Sequence, residues 1–189
     1  MHPPRILVLA TILVALVAGC TPAAAPTPSP TPTVPQCTPE FGGDPFPCTQ
    51  ADHDAMVARQ AQYAEAERVY REFNRLNAGE VSAREETPSP ELLALATEGY
   101  GGITRELRTQ TLSLGTFDGE LQIAWMRPAQ GEGAMSMEAC HDYTQWYLTS
   151  EESGDRAAVG DRSITLVTFD IGTGTPLVAD TSSVEEEGC

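Results

Sequence analysis

Five cysteines, at positions 20, 37, 48, 140 and 189, constrain this chain more than any other feature of its sequence. Their meaning depends on where the chain resides. Residues 1–5 carry one certain positive charge, Arg5, and Ile6 to Ala18 is apolar except for Thr11. A charged start, a short apolar run and small residues before Cys20 form the layout of a secretory signal. The run is shorter than the about 20 residues a helix needs to cross a bilayer. In an exported chain, cysteines in even number read as disulfides.

The stretch Leu16-Val17-Ala18-Gly19-Cys20 resembles the lipobox of bacterial lipoproteins. That resemblance implies diacylation of Cys20, removal of residues 1–19 and anchoring at the outer face of the cell membrane. One acyl chain holds a protein to a membrane marginally and two hold it stably, at about 0.8 kcal/mol per buried methylene. The alternative is ordinary secretion with Cys20 free. With Cys20 acylated, Cys37, Cys48, Cys140 and Cys189 remain, and three pairings are open. Cys37–Cys48 with Cys140–Cys189 is favoured. The first would close a Pro/Gly-rich loop with little else to order it, and the second would pin the final residue to the middle of the domain. The spacings contain no Cys-x-x-Cys, so neither zinc nor any other metal or cofactor is expected.

Composition narrows the function. Asp and Glu number 27 against 11 basic residues, for a formal net charge of −16, and every basic residue is Arg. Such a surface repels nucleic acid, which is bound by neutralising phosphate with Lys and Arg, so nucleic-acid binding is excluded.

Thr21 to Gln36 is almost entirely Thr, Pro, Ala and Ser. It cannot form a core and favours polyproline II, which would reach about 50 Å at roughly 3.1 Å per residue. Residues 20–36 therefore read as a lipid-anchored linker and 37–189 as an extracytoplasmic domain. In the loop from Cys37 to Cys48, Phe41 and Phe46 are expected to cap the core. A long helix follows. Thr49 and Asp52 resemble a capping box, Met56, Tyr63, Ala66, Tyr70, Phe73 and Asn77 mark one face, and Gly79 is expected to end it. A short helix is predicted over Pro90–Glu98, stopped by Gly99, Gly101 and Gly102. A third is predicted over about Ile103–Leu114, with Ile103, Leu107, Gln110 and Leu114 on one side.

Beyond Gly115 the period becomes that of strands. Leu121, Ile123 and Trp125 alternate with polar or small neighbours over Glu120–Arg127. Further strands are predicted over Ala134–Cys140, over Tyr143–Thr149 either as a separate strand or as a continuation of that one past a bulge, and over Arg162–Ile171 and Leu177–Val184, with Ser150–Asp161 an acidic turn region. Three N-terminal helices packed on one curved antiparallel sheet of about four strands is an α+β arrangement. Four features, the helix segment Ala66–Phe73, the segment Pro90–Ala96, the run Cys140–Asp142 and the closing cysteine, carry a further resemblance over roughly residues 49–189. The chain resembles small exported lipoproteins of high-GC bacteria with a nuclear-transport-factor-two-like, or ketosteroid isomerase-like, domain. The resemblance implies a cone-shaped fold with a pocket between sheet and helices.

No catalytic motif stands out. An isomerase of that type needs a carboxylate base and a hydrogen-bond donor in an apolar pocket. Asp142, Tyr143, Asp170 and Asp180 lie on or near predicted strands but in no motif that assigns them a role. His141 and His53 have no nucleophile beside them in a recognised pattern. Met135 and Met137 alone do not make a copper site, and Asp52-His53-Asp54 is too short for a calcium loop. Trp125, Tyr143, Trp146 and Tyr147 are the candidate pocket or interface residues. The expected function is a membrane-anchored binding or interaction module of the cell envelope, its partner a small apolar ligand or an envelope protein. The alternatives are an enzyme of the ketosteroid isomerase-like type acting on a small apolar substrate, or a purely structural surface protein.

Overall fold

The longest element is a helix of 33 residues, α1 (Gln50–Ser82). The computed structural model describes residues 34–130, 135–172, 174–184 and 189. The signal segment, Cys20 and the linker up to residue 33 lie outside the described residues, as does the tail 185–188. Among the described residues no helix is long and apolar enough to cross a membrane.

Thr49 caps α1 as its sequence predicts, its hydroxyl accepting from the Asp52 amide and donating to the Asp52 carboxylate at 2.7 Å. Tyr63, Ala66, Val69, Tyr70 and Phe73 are buried, and Glu65–Arg68, Glu67–Arg71 and Glu72–Arg75 ion pairs decorate the outside. Gly79 does not end the helix. Val81 packs against Leu112, Phe117 and Trp146, and that burial carries α1 one turn further, to Ser82.

The second helix is shorter than predicted. α2 (Pro90–Leu93) is one turn, capped by the Ser89 hydroxyl accepting from the Leu92 amide. Thr97 then adopts an extended conformation and caps α3 (Glu98–Leu114), accepting from the Tyr100 amide. Ala96, left between the helices, bridges to Val178, with hydrogen bonds from the Val178 amide to Leu95 and from the Thr97 amide to Val178. The glycines expected to break the chain lie inside α3. Gly101 is buried in α3, and a Cβ there would stand 3.3 Å from the end of the Leu93 side chain, which would have to shift by a few tenths of an ångström.

The fold is α+β with antiparallel sheets, but three helices on a single sheet of about four strands is not what forms. Among the described residues the strands fall into three sheets. β1 (Gln36–Cys37) and β2 (Phe46–Pro47) make a small ribbon. β3 (Gly115–Gly119), β6 (Trp146–Ser150) and β7 (Arg156–Ala158) form a three-stranded sheet in the order β3-β6-β7. β4 (Gln122–Pro128), β5 (Met135–Asp142), β8 (Arg162–Asp170) and β9 (Leu177–Ser183) form a four-stranded one in the order β4-β5-β8-β9. The physical reason for the division is three aligned interruptions. Residues 120–121, 143–145 and 159–161 separate β3 from β4, β5 from β6 and β7 from β8. Hydrogen bonds from Tyr143 to Asp161, Val159 to Trp146 and Glu120 to Gln145 carry the chains across the bend. Gly119 permits the close approach there. It has φ 94°, and a side chain would meet the Gln145 carbonyl.

Two apolar clusters result. The larger packs Tyr63, Tyr70 and Phe73 of α1 on Met135, Met137, Val167 and Phe169 of the four-stranded sheet. The smaller joins Val81, Leu112, Phe117 and Trp146. Phe41 and Phe46 cap neither; both are exposed. The ribbon instead meets α1 through Glu40, which accepts from the Tyr63 hydroxyl and from Arg59.

Both favoured cysteine pairs form. Cys37 bonds Cys48 and Cys140 bonds Cys189, with Cα separations of 5.8 and 5.9 Å. Closure of the longer loop, 49 residues, is worth about 4 kcal/mol in the chain-entropy model, and of the shorter about 3. Replacing Cys140 and Cys189 together by Ala is therefore expected to lower unfolding stability more than replacing Cys37 and Cys48, by equilibrium denaturation in urea.

Candidate functional site

An open cavity of about 310 Å³ lies between α1, α3 and the three-stranded sheet. Its apolar walls are Phe73 and Val81 from α1, Leu107 and Leu114 from α3, and Phe117, Trp146 and Val159 from the sheet side. Asn77, Tyr100, Thr104, Arg108 and Thr111 complete it. Helical spacing on α1 brings Phe73, Asn77 and Val81 to one side at steps of four, and Thr104, Arg108 and Thr111 face them from α3.

Arg108 is the residue sequence reasoning missed. Its side chain is 1% exposed and pairs with Glu80 at 3.0 Å. It also donates to the Glu85 carbonyl at 2.8 Å and to Asn77 Oδ1 at 2.9 Å. Glu80 in turn accepts from the Ser89 amide at the start of α2. The Arg108 charge is thus spent on Glu80 and does not stand free for a ligand. Thr104 donates to the Tyr100 carbonyl, and the Tyr100 hydroxyl meets Thr181 at 2.8 Å. The apolar side chains of the lining are what such a cavity offers a ligand.

Of the four aromatic candidates, only Trp146 lines this cavity. It stacks at a tilt on Phe117, with ring centroids 5.0 Å apart, and its indole N–H is buried without a protein partner. Tyr143 lies behind it, 6.3 Å away, in the packing of the smaller cluster. Trp125 and Tyr147 are elsewhere. A register shift between Ile123 and Trp125 breaks the alternation the sequence predicts. Ile123 and Met126 pack on the core, and Trp125 lies under the Arg127 guanidinium at 4.8 Å. Tyr147 carries Arg156 over its ring at 3.7 Å.

The candidate carboxylates lie outside the cavity lining. Asp142 bonds Thr144 and pairs with Arg162 at 2.9 Å, which holds its carboxyl below the usual range. Asp170 accepts from the Gly172 amide and Asp180 from the Thr181 amide. Among the described residues no three His, Cys, Asp or Glu come together as metal ligands.

His141 and Tyr70 form a separate buried pair. The Tyr70 hydroxyl lies 3.1 Å from His141 Nε2, and His141 Nδ1 is buried with no partner. Tyr143 stacks on the imidazole, with centroids 5.7 Å apart. Burial raises the Tyr70 pKa and lowers that of His141 to about 4. The pair ties α1 to β5 beside the Cys140 disulfide and is closed to solvent, so it is a packing element and not an acid–base site.

A histidine kept neutral in the folded chain and free to protonate when unfolded makes stability pH-dependent. Stability contributed by this residue is full above pH 6.5 and is lost as pH falls toward about 4. The loss is on the order of 3 kcal/mol. Denaturant melts from pH 7 to 4 should show it, and His141→Gln should flatten the slope in that window.

No family model matches the chain, and no curated protein matches it.

Proposed function

We propose that this protein is a lipoprotein held by acylated Cys20 at the outer face of the cell membrane. Its domain is a binding module that takes a small apolar ligand in the cavity between α1, α3 and the three-stranded sheet. The observation that carries this reading is the cavity lining: Phe73, Val81, Leu107, Phe117, Trp146 and Val159 converge on one space. Its charged member, Arg108, is already neutralised by Glu80. An uncharged apolar molecule meets this lining without leaving a buried charge unpaired. A net charge of −16 also disfavours anionic ligands.

The nuclear-transport-factor-two-like assignment belongs to the same proposal. It is supported by the order of a long helix, two further helical segments and a run of antiparallel strands, with the cavity between helices and sheet. Isomerase chemistry is not part of the proposal. The cavity lining contains Asn77, Thr104, Thr111 and Arg108 but no Asp or Glu to act as base.

The anchor predicts that labelled palmitate enters the wild-type chain and not Cys20→Ala; an unlabelled wild type would remove it. The cavity predicts that the neutral fluorophore N-phenylnaphthylamine binds the chain. Thr111→Trp, which fills the space, should weaken that binding about tenfold or more while far-ultraviolet circular dichroism stays unchanged. Equal binding by both proteins would place the fluorophore elsewhere and count against the cavity.

A further inference from the structure

The polar groups around the α1–α3 cavity leave donors over. Arg108 gives its protons to Glu80, to the Glu85 carbonyl and to Asn77 Oδ1. The Thr104 hydroxyl donates to the Tyr100 carbonyl at 2.9 Å, and the Tyr100 hydroxyl is paired with Thr181. The lining holds no carboxylate, and its one side-chain amide oxygen is already taken by Arg108.

Asn77 decides what can bind. A guanidinium has only donors, so the amide oxygen must be the atom turned to Arg108, at 2.9 Å. That fixes the amide, with Nδ2 held on its other side. Asn74, three residues earlier, donates its own Nδ2 back to the Tyr70 carbonyl at 2.9 Å, within the helix. Asn77 makes no such bond. Among the described residues its Nδ2 has no protein acceptor, and it is not among the buried polar atoms left without one, so it opens to the space its side chain lines. The cavity wall holds a second unmet donor, the buried indole N–H of Trp146.

We infer that the ligand of this cavity is a mostly apolar molecule carrying an uncharged carbonyl oxygen, which accepts from Asn77 Nδ2. The inference rests on the cavity being the ligand site. A carbonyl oxygen accepts and brings no proton of its own, which matches a lining with donors left over. An alcohol brings a proton, for which the lining side chains offer only threonine hydroxyls. A carboxylate brings a charge, and Arg108 is already neutralised by Glu80. A plain hydrocarbon strips water from Asn77 Nδ2 and gives it nothing in return.

The test is displacement of N-phenylnaphthylamine from the full chain by two molecules of matched shape, methyl 2-naphthoate and 2-propylnaphthalene. A pocket without a donor prefers the hydrocarbon by about tenfold or more, because the ester surrenders its hydration. The wild type is expected to bind the ester at least as tightly as the hydrocarbon. Asn77→Asp keeps an oxygen for Arg108 and puts a second oxygen where the donor was. It should weaken the ester about tenfold or more relative to the hydrocarbon. General damage to the cavity would weaken both molecules together, so the ratio reports the hydrogen bond. If Asn77→Asp does not fold, the wild-type ratio decides alone. A wild type that prefers the hydrocarbon tenfold, or a ratio unchanged in Asn77→Asp, overturns the inference while the bound fluorophore leaves the cavity reading intact. If neither the fluorophore nor the two competitors bind, both fall.

Discussion

A buried arginine sets the rotation of α3, and much else follows from it. Arg108 reaches Glu80, Asn77 and the Glu85 carbonyl only if that face of the helix turns inward. Leu112 then joins Val81, Phe117 and Trp146, while Ile103 is left exposed and Leu107 and Leu114 line the open side of the cavity. Glu80 also accepts from the Ser89 amide, so one carboxylate ties α1 and α3 to the start of α2. A buried ion pair of this kind adds little over an apolar replacement of both members. Losing one member strands the other charge and costs about 3–5 kcal/mol. Its value here is orientation: it specifies which side of an otherwise ambiguous helix is inside.

The second constraint is the bend of the strands. Breaks at 120–121, 143–145 and 159–161 fall side by side, and the chain turns from one sheet into the next along that line. His141 and Tyr143 sit at the turn, and their rings join the two apolar clusters: Tyr70 meets His141, His141 stacks on Tyr143, and Tyr143 leads to Trp146. The Cys140–Cys189 disulfide fixes the same region of β5. Beyond this turn the small sheet meets α1 and α3 through Val81, Leu112, Phe117 and Trp146.

What could be read from the sequence was what local chemistry decides. The cap at Thr49, the buried stripe Tyr63–Ala66–Tyr70–Phe73 and both cysteine pairs depend on spacing and compartment, and the structure has them. What failed depended on tertiary partners. Gly101 looked like a helix breaker and is instead the place where α3 packs on Leu93. Phe41 and Phe46 looked like core and are exposed. The spacing groups Ile103, Leu107, Gln110 and Leu114 on one side of α3, but nothing local reveals that Arg108 will turn another side inward by finding Glu80 from 28 residues away. Trp125 was placed with Ile123 because alternation cannot anticipate a register shift. Of the candidate site, Trp146 was legible as an aromatic on a strand. Asn77 appeared only as the last member of the α1 stripe, and Arg108 gave no signal at all.

The most direct measurement of this account is a double-mutant cycle on Arg108 and Glu80, by equilibrium denaturation at neutral pH. Arg108→Met and Glu80→Gln should each cost several kcal/mol, and the double variant should recover much of that loss, with a coupling of about 2 kcal/mol or more. Single substitutions that each cost less than about 1 kcal/mol and simply add would contradict it, because the pair would then not be what holds the polar face of α3 inside.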